Sequence, residues 1–133
     1  MKYMLDTSIC VHTIRRKSGT VVCRLKRERP EDVGVSAITV SELEYGVAKS
    51  AHRDRNAIAL AEFLAPLEVA HFDEEAARHY GEIRAELESR GSCVGAMDML
   101  IAAHARALGA TVVTNNTREF RRVTGLAVED WTR

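Results

Sequence analysis

A chain of 133 residues, 46% of them hydrophobic, is long enough to bury one domain core and too apolar to be disordered. Its 19 Lys and Arg balance 19 Asp and Glu, a zero net charge that argues against a general nucleic-acid coat or a membrane-surface protein. No apolar stretch reaches the length of a membrane span, and the first residues enter a strand instead of a leader, so a cytoplasmic protein of one domain (1–133) is expected.

Tyr3 to Leu5 read as a short buried strand closed by Asp6. Thr7 or Ser8 then caps a helix through Ile9, Val11, His12 and Ile14. After the Ser18-Gly19-Thr20 break, Val21, Val22 and Leu25 share one face of a second helix that Pro30 ends. Val33 to Ser36 is a second strand. Thr39 begins the next helix, and with Glu42 three residues on it matches a capping box. That helix carries Val40, Leu43 and Val47 inward and ends near Lys49.

Arg53 to Leu64 predicts a helix stopped by Pro66, and Leu67 to Phe72 a third strand. Asp73 caps a long helix with Ala76, Ala77, Tyr80, Ile83 and Leu87 at helical spacing, ending at Gly91. Ala96 to Leu108 is the most apolar helix, ended by Gly109. Thr111 to Thr114 follows as a fourth strand, Asn115-Asn116 opens a turn and a short helix through Phe120, and Val128 falls in an edge strand. Strands alternating with helices indicate an α/β sandwich with a mostly parallel sheet. Sites in such folds form beyond the carboxyl ends of the strands, where Asp6 and Asn116 both fall.

Three acids stand out: Asp6, Glu42 and Asp98. Each has an ordinary explanation taken singly. Asp6 can cap its helix, Glu42 can complete its box, and Asp98 can pair with Arg106 or a lysine. Asp98 is the hardest to dismiss, because it shares a helix face with Ile101 and Ala102, and a carboxylate among packed residues is costly unless paired or bound to a cation. Glu119 offers a fourth carboxylate after the last core strand, and Asn116 a neutral oxygen or a water-holding amide. Converging carboxylates repel one another unless a cation sits among them, and hard oxygen donors suit Mg²⁺ or Mn²⁺.

Other chemistries find less support. Cys10, Cys23 and Cys93 are odd in number and far apart with no CxxC, so they read as small buried or half-buried thiols. The five histidines lack HxxxH or HExxH spacing, and no Gly-rich phosphate loop occurs. Arg15-Arg16-Lys17, the Arg24 to Arg29 cluster and Arg118, Arg121 and Arg122 read first as solvated helix faces, with a basic rim around an acidic site as the functional alternative. Tyr45 reads as a packed or dimer-interface residue before a base-stacking platform.

Four ordered segments resemble the VapC-type PIN-domain toxins: Met4-Leu5-Asp6-Thr7-Ser8-Ile9-Cys10, Ser36-x-x-Thr39-x-x-Glu42-Leu43-x-x-Gly46, Asp98-x-Leu100-Ile101-Ala102-Ala103-His104-Ala105 and Val113-Thr114-Asn115-Asn116-Thr117-Arg118-Glu119-Phe120. The closing Val123-x-Gly125-Leu126-x-Val128-Glu129-Asp130-Trp131 resembles one branch of that family, and the match runs from Met1 to Trp131. The resemblance implies a three-layer α/β/α fold and a Mg²⁺- or Mn²⁺-dependent endoribonuclease of a type II toxin–antitoxin system. Such enzymes act on structured RNA such as tRNA anticodon loops, with initiator tRNA the target of the most similar branch.

By the same resemblance Asp6 and Asp98 would bind metal and Glu42 would complete the acidic cluster. Thr7, Ser8 and Asn116 would line the substrate. The implied partners are a VapB-type antitoxin, a second copy of the chain, and a higher-order complex with the antitoxin that represses its own operon. Two departures matter: Ser8 stands where many relatives have Asn, and Asn116 where many have Asp, so Glu119 would supply the missing charge. A PIN-fold scaffold without catalysis is the competing reading, opposed by the retained acids. A receiver-like or phosphatase-like domain is poorly supported, since no lysine follows Lys49.

Overall fold

The computed structural model describes residues 1–133. Five short strands, β1 (Tyr3–Leu5), β2 (Val33–Ser36), β3 (Glu68–Ala70), β4 (Thr111–Val113) and β5 (Val128–Glu129), form one sheet in the order β3-β2-β1-β4-β5. Every neighbouring pair is parallel, so the mostly parallel sheet expected is wholly so. The helices are α1 (Thr7–Arg15), α2 (Thr20–Arg27), α3 (Ala37–Ala48), α4 (Arg53–Leu64), α5 (Glu74–Ser89), α6 (Ala96–Leu108) and α7 (Thr117–Phe120). None is long and apolar enough to cross a membrane.

Alternation along the strands divides the core into two layers. Tyr3 and Leu5 of β1 join Ile9, Cys10, Val35, Leu43, Val113 and Trp131 on one face. Met4 joins Ile83, Leu87, Ile101, Val112 and Phe120 on the other. The second layer is thin where Ala102, Ala103 and Ala105 of α6, all fully buried, let α5 and α6 lie close. Gly34 answers a similar demand in β2, where an added Cβ would fall 2.5 Å from the Glu68 carbonyl oxygen of β3.

Register decides what reaches the active edge. Leu5 pairs with Val35 and with Val113, so Asp6, Ser36 and Thr114 leave the sheet side by side at its carboxyl end.

Local chemistry corrects several expectations. Asp6, not Thr7 or Ser8, is the N-cap of α1. Ser36 caps α3 through Ile38 N–H, so that helix starts at Ala37 and the Thr39–Glu42 capping box does not form. Helix α2 stops at Arg27, and Pro30 instead opens a 3₁₀ turn over Pro30–Asp32. Strand β3 is shorter than expected. Cys10 is buried, whereas Cys23 and Cys93 are exposed. Tyr45 is 66% exposed with Lys49 over its ring, so it does not pack inside this chain.

Candidate active site

Asp6 is held from both its backbone and its carboxylate. Its backbone N–H continues the ladder to the Val113 carbonyl at 3.0 Å. One carboxylate oxygen accepts from Ile9 N–H at 2.8 Å, and the other from the Thr114 hydroxyl at 2.6 Å. The Ser8 hydroxyl lies 2.9 Å and 3.0 Å from the two oxygens, and also 2.7 Å from the Asn115 side-chain oxygen. Its single proton can serve only one of these acceptors at a time. Thr114 is aimed because it accepts the Asn116 backbone N–H at 2.8 Å, which leaves its own proton for Asp6.

Asp6 is 2% exposed. Burial raises its carboxyl above the ordinary range; the Thr114, Ile9 and Ser8 donors oppose that rise, and the Glu42 charge adds to it. Capping therefore does not use up Asp6. A carboxylate has about four lone-pair sites, and a shift of Ser8 to Asn115 leaves two of them open.

Glu42 stands in the second turn of α3 and accepts the Thr7 hydroxyl at 2.6 Å. Asp98 is the third residue of α6, half-buried, with no hydrogen-bonding or ionic partner of its own. The pairing with Arg106 does not occur, because that guanidinium is bound to His79 Nδ1 and the Thr124 carbonyl. A helix N-terminus ordinarily favours an ionised acid, yet the Asp98 carboxyl is pushed up to about 6. Burial is the main cause, followed by the charges of Glu119, Asp6 and Glu42.

Glu119 closes the group from α7. It accepts Gly95 N–H at 2.5 Å with one oxygen and the Asn116 amide at 2.8 Å with the other. Those two donors hold its carboxyl below the ordinary range. The backbone at Gly95 brackets two acids, since a Cβ there would lie 3.5 Å from a Glu119 oxygen and 3.9 Å from an Asp98 oxygen. Asn116 thus serves as a tether for Glu119 and, through its backbone, for Thr114.

The structure brings Asp6, Glu42, Asp98 and Glu119 to one edge, with Thr7, Ser8 and Asn116 between them. Thr114 was not among the sequence-derived site residues; its sequence signals are a hydroxyl at the end of a strand just before the Asn-Asn turn and its place in the Val113–Phe120 segment that carries the resemblance. All of the chain's ion pairs lie elsewhere. As the side chains stand, no three of them close to metal-binding distance. Four hard carboxylates, of which only Glu119 feels a protein cation, Arg122, and of which Asp98 is raised further by the other three, nevertheless have the donor chemistry of a divalent-cation site.

Comparison with known proteins places these observations among relatives. The PIN domain pattern matches residues 3–126. The chain is 45% identical over 131 residues, 98% of each chain, to the tRNA(fMet)-specific endonuclease VapC of Shigella flexneri. It superposes with a TM-score of 0.95 and 44% identity, covering 98% of both chains, on VapBC of Salmonella typhimurium solved bound to DNA. VapBC2 of Rickettsia felis, solved on a promoter DNA fragment, gives 0.91 and 41% over 98% of this chain and 99% of that one.

Proposed function

The chain belongs to the PIN-domain family, among the VapC ribonucleases, and from that membership we propose that it is the toxin of a type II toxin–antitoxin pair. It is an endoribonuclease. Its cofactor is Mg²⁺, with Mn²⁺ able to substitute, and its substrate is structured RNA, the anticodon region of initiator tRNA first. Cleavage there blocks translation. A VapB-type antitoxin restrains it, in an assembly built on a homodimer.

One observation carries this reading: four carboxylates share the active edge, Asp6 and Asp98 have no protein cation beside them, and only Glu119 feels one, Arg122. Asp6, Asp98 and Glu42 are the proposed metal ligands, and Glu119 completes the acidic group. A divalent cation bound there supplies Lewis-acid polarisation of the phosphodiester and an activated water. The chain's own work is positional. Thr114 and Ile9 N–H fix the Asp6 carboxylate, and Gly95 N–H with the Asn116 amide keeps Glu119 ionised beside Asp98. Thr7 holds Glu42 until a ligand competes for it, and Ser8 and Asn116 face the substrate.

Purified chain incubated with total bacterial tRNA, in Mg²⁺ and in EDTA, tests the proposal. Asp98→Asn is the better control than Asp6→Ala, because Asp98 caps nothing and holds no other side chain. Discrete fragments that need both metal and Asp98 are the expected result. Intact tRNA, ribosomal RNA and mRNA under all conditions, with no metal bound, would instead favour a binding subunit without catalysis.

A further inference from the structure

Most arginines that border acids in this chain are neutralised by them, including Arg24, Arg29, Arg78, Arg84 and Arg90. Arg15 and Arg16 are exposed and unpaired at the far end of the helix that Asp6 caps. They line a groove of ≈ 330 Å³ with Ser8, Val11, His12 and Asn115. Ser8, His12 and Arg15 follow one another at helical spacing along one face of α1, about 10 Å from end to end, and Arg16 is the C-cap just beyond it. The groove opens at Ser8, which is bonded to Asp6.

Its lining contains no carboxylate, although it begins at the most acidic point of the molecule. Every polar group in it can donate. The Asn115 side-chain oxygen lies 2.7 Å from the Ser8 hydroxyl, its amide hydrogens are free, and the guanidiniums have no acceptor in the protein. Cations in the last turn of α1 also offset the helix dipole, but that role requires neither a groove nor Asn115. A groove with donors and two free guanidiniums but no carboxylate, starting beside the acidic group, fits a polyanion whose reacting phosphate lies at the carboxylates and whose neighbouring phosphates lie along the helix.

We propose that this face of α1 is the track for the RNA backbone on one side of the scissile bond, with Arg15 and Arg16 as its phosphate anchors. The assignment rests on the ribonuclease reading above and adds the direction in which the substrate leaves the site.

The test uses an RNA stem–loop with the anticodon-arm sequence of initiator tRNA. Binding is measured in the Asp98→Asn background by fluorescence anisotropy against KCl, and cleavage is measured in the active protein. Arg15→Gln/Arg16→Gln is expected to weaken binding about tenfold and to lower the slope of log Kd against log salt by about 1.4, or about 0.7 per lost phosphate contact. In cleavage the loss falls on KM rather than kcat. Arg53→Gln/Arg55→Gln, which removes two free cations at the start of α4, leaves binding unchanged. A neutral methylphosphonate walked away from the cut site should cost the parent protein affinity at one or two linkages and cost the double variant nothing more there.

Cleavage by the parent with an unchanged KM and salt slope in the Arg15→Gln/Arg16→Gln protein would overturn the track and leave the ribonuclease standing. So would loss of antitoxin binding alone, which would assign the groove to the protein partner. If the parent neither binds nor cuts RNA, the ribonuclease reading falls and the track falls with it. Thermal melts of each variant check that these exposed substitutions leave the fold intact.

Discussion

Asp98 shows how a single residue without a partner can cost a folded chain stability. Its folded carboxyl is raised from 3.8 to about 6, so its contribution to metal-free stability is fully present below pH 3.8 and is lost as pH rises through about 6. Asp98→Asn removes that penalty. In EDTA at pH 7 it should stabilise the protein by about 1 to 2 kcal/mol, solvent screening of a half-buried group included, with the gain vanishing near pH 4. Thermal melts at the two pH values check this, and a large loss of stability at pH 7 would point to a structural bond instead. At limiting metal, cleavage should rise through about pH 6 as Asp98 ionises. Glu119 and Asn116 can be ranked by the same logic. Asn116→Ala loses one of two tethers on Glu119 and should cost about tenfold in cleavage. Glu119→Gln keeps an acceptor for Gly95 N–H but loses the charge, and should cost more. The reverse order in single-turnover assays would overturn the place of Glu119 in the acidic group.

The elements are held in register by a buried network away from the carboxylates. His104 of α6 is 1% exposed, and its Nδ1 lies 2.8 Å from Ser36 Oγ at the junction of β2 and α3. Ser36 Oγ also accepts Ile38 N–H, the direction of its bond with Nδ1 is set by the ring's tautomer, and the ring also bonds the His71 backbone and stands edge-on to Phe72. This clamp ties the helix carrying Asp98 to the helix carrying Glu42. Burial lowers the His104 pKa from 6.5, against the opposing pull of Asp73. The folded ring therefore refuses a proton that the unfolded chain accepts, and stability falls as pH drops from 6.5 toward the lowered folded value. Asp98 acts in the opposite direction over the same range, so the measurement belongs in Asp98→Asn protein. There the acid-side decline should be present, and adding His104→Leu should abolish it at a cost of about 1 to 3 kcal/mol at neutral pH. An undiminished decline would assign the titration to another group.

For the whole molecule, the test is in the cell. Expression of the chain alone should stop bacterial growth through loss of translation, and Asp98→Asn or a co-expressed antitoxin should restore it; normal growth at good soluble yield would count heavily against a toxin. Much of this architecture is legible in the sequence. The boundaries of α4 and α6, the Asp73 cap of α5 and the Gly109 stop follow from periodicity and local hydrogen bonding, which act within a few residues. Because parallel strands must all end at one edge, the placement of Asp6 and Asn116 together there was legible as well. Thr39 and Glu42 matched a capping box, but Ser36 sits one turn earlier at the true end of β2 and takes the cap, which leaves Glu42 to Thr7. That choice depends on where a strand stops. The Thr114 hydroxyl on Asp6, the Gly95 amide on Glu119, the His104–Ser36 clamp and the isolation of Asp98 from Arg106 join residues far apart in sequence, and no local pattern encodes them. By itself the sequence determined which elements form and which acids are available. Only the tertiary structure decided which donors hold each acid and which acid is left without a partner, because those outcomes depend on side-chain packing across the sheet edge.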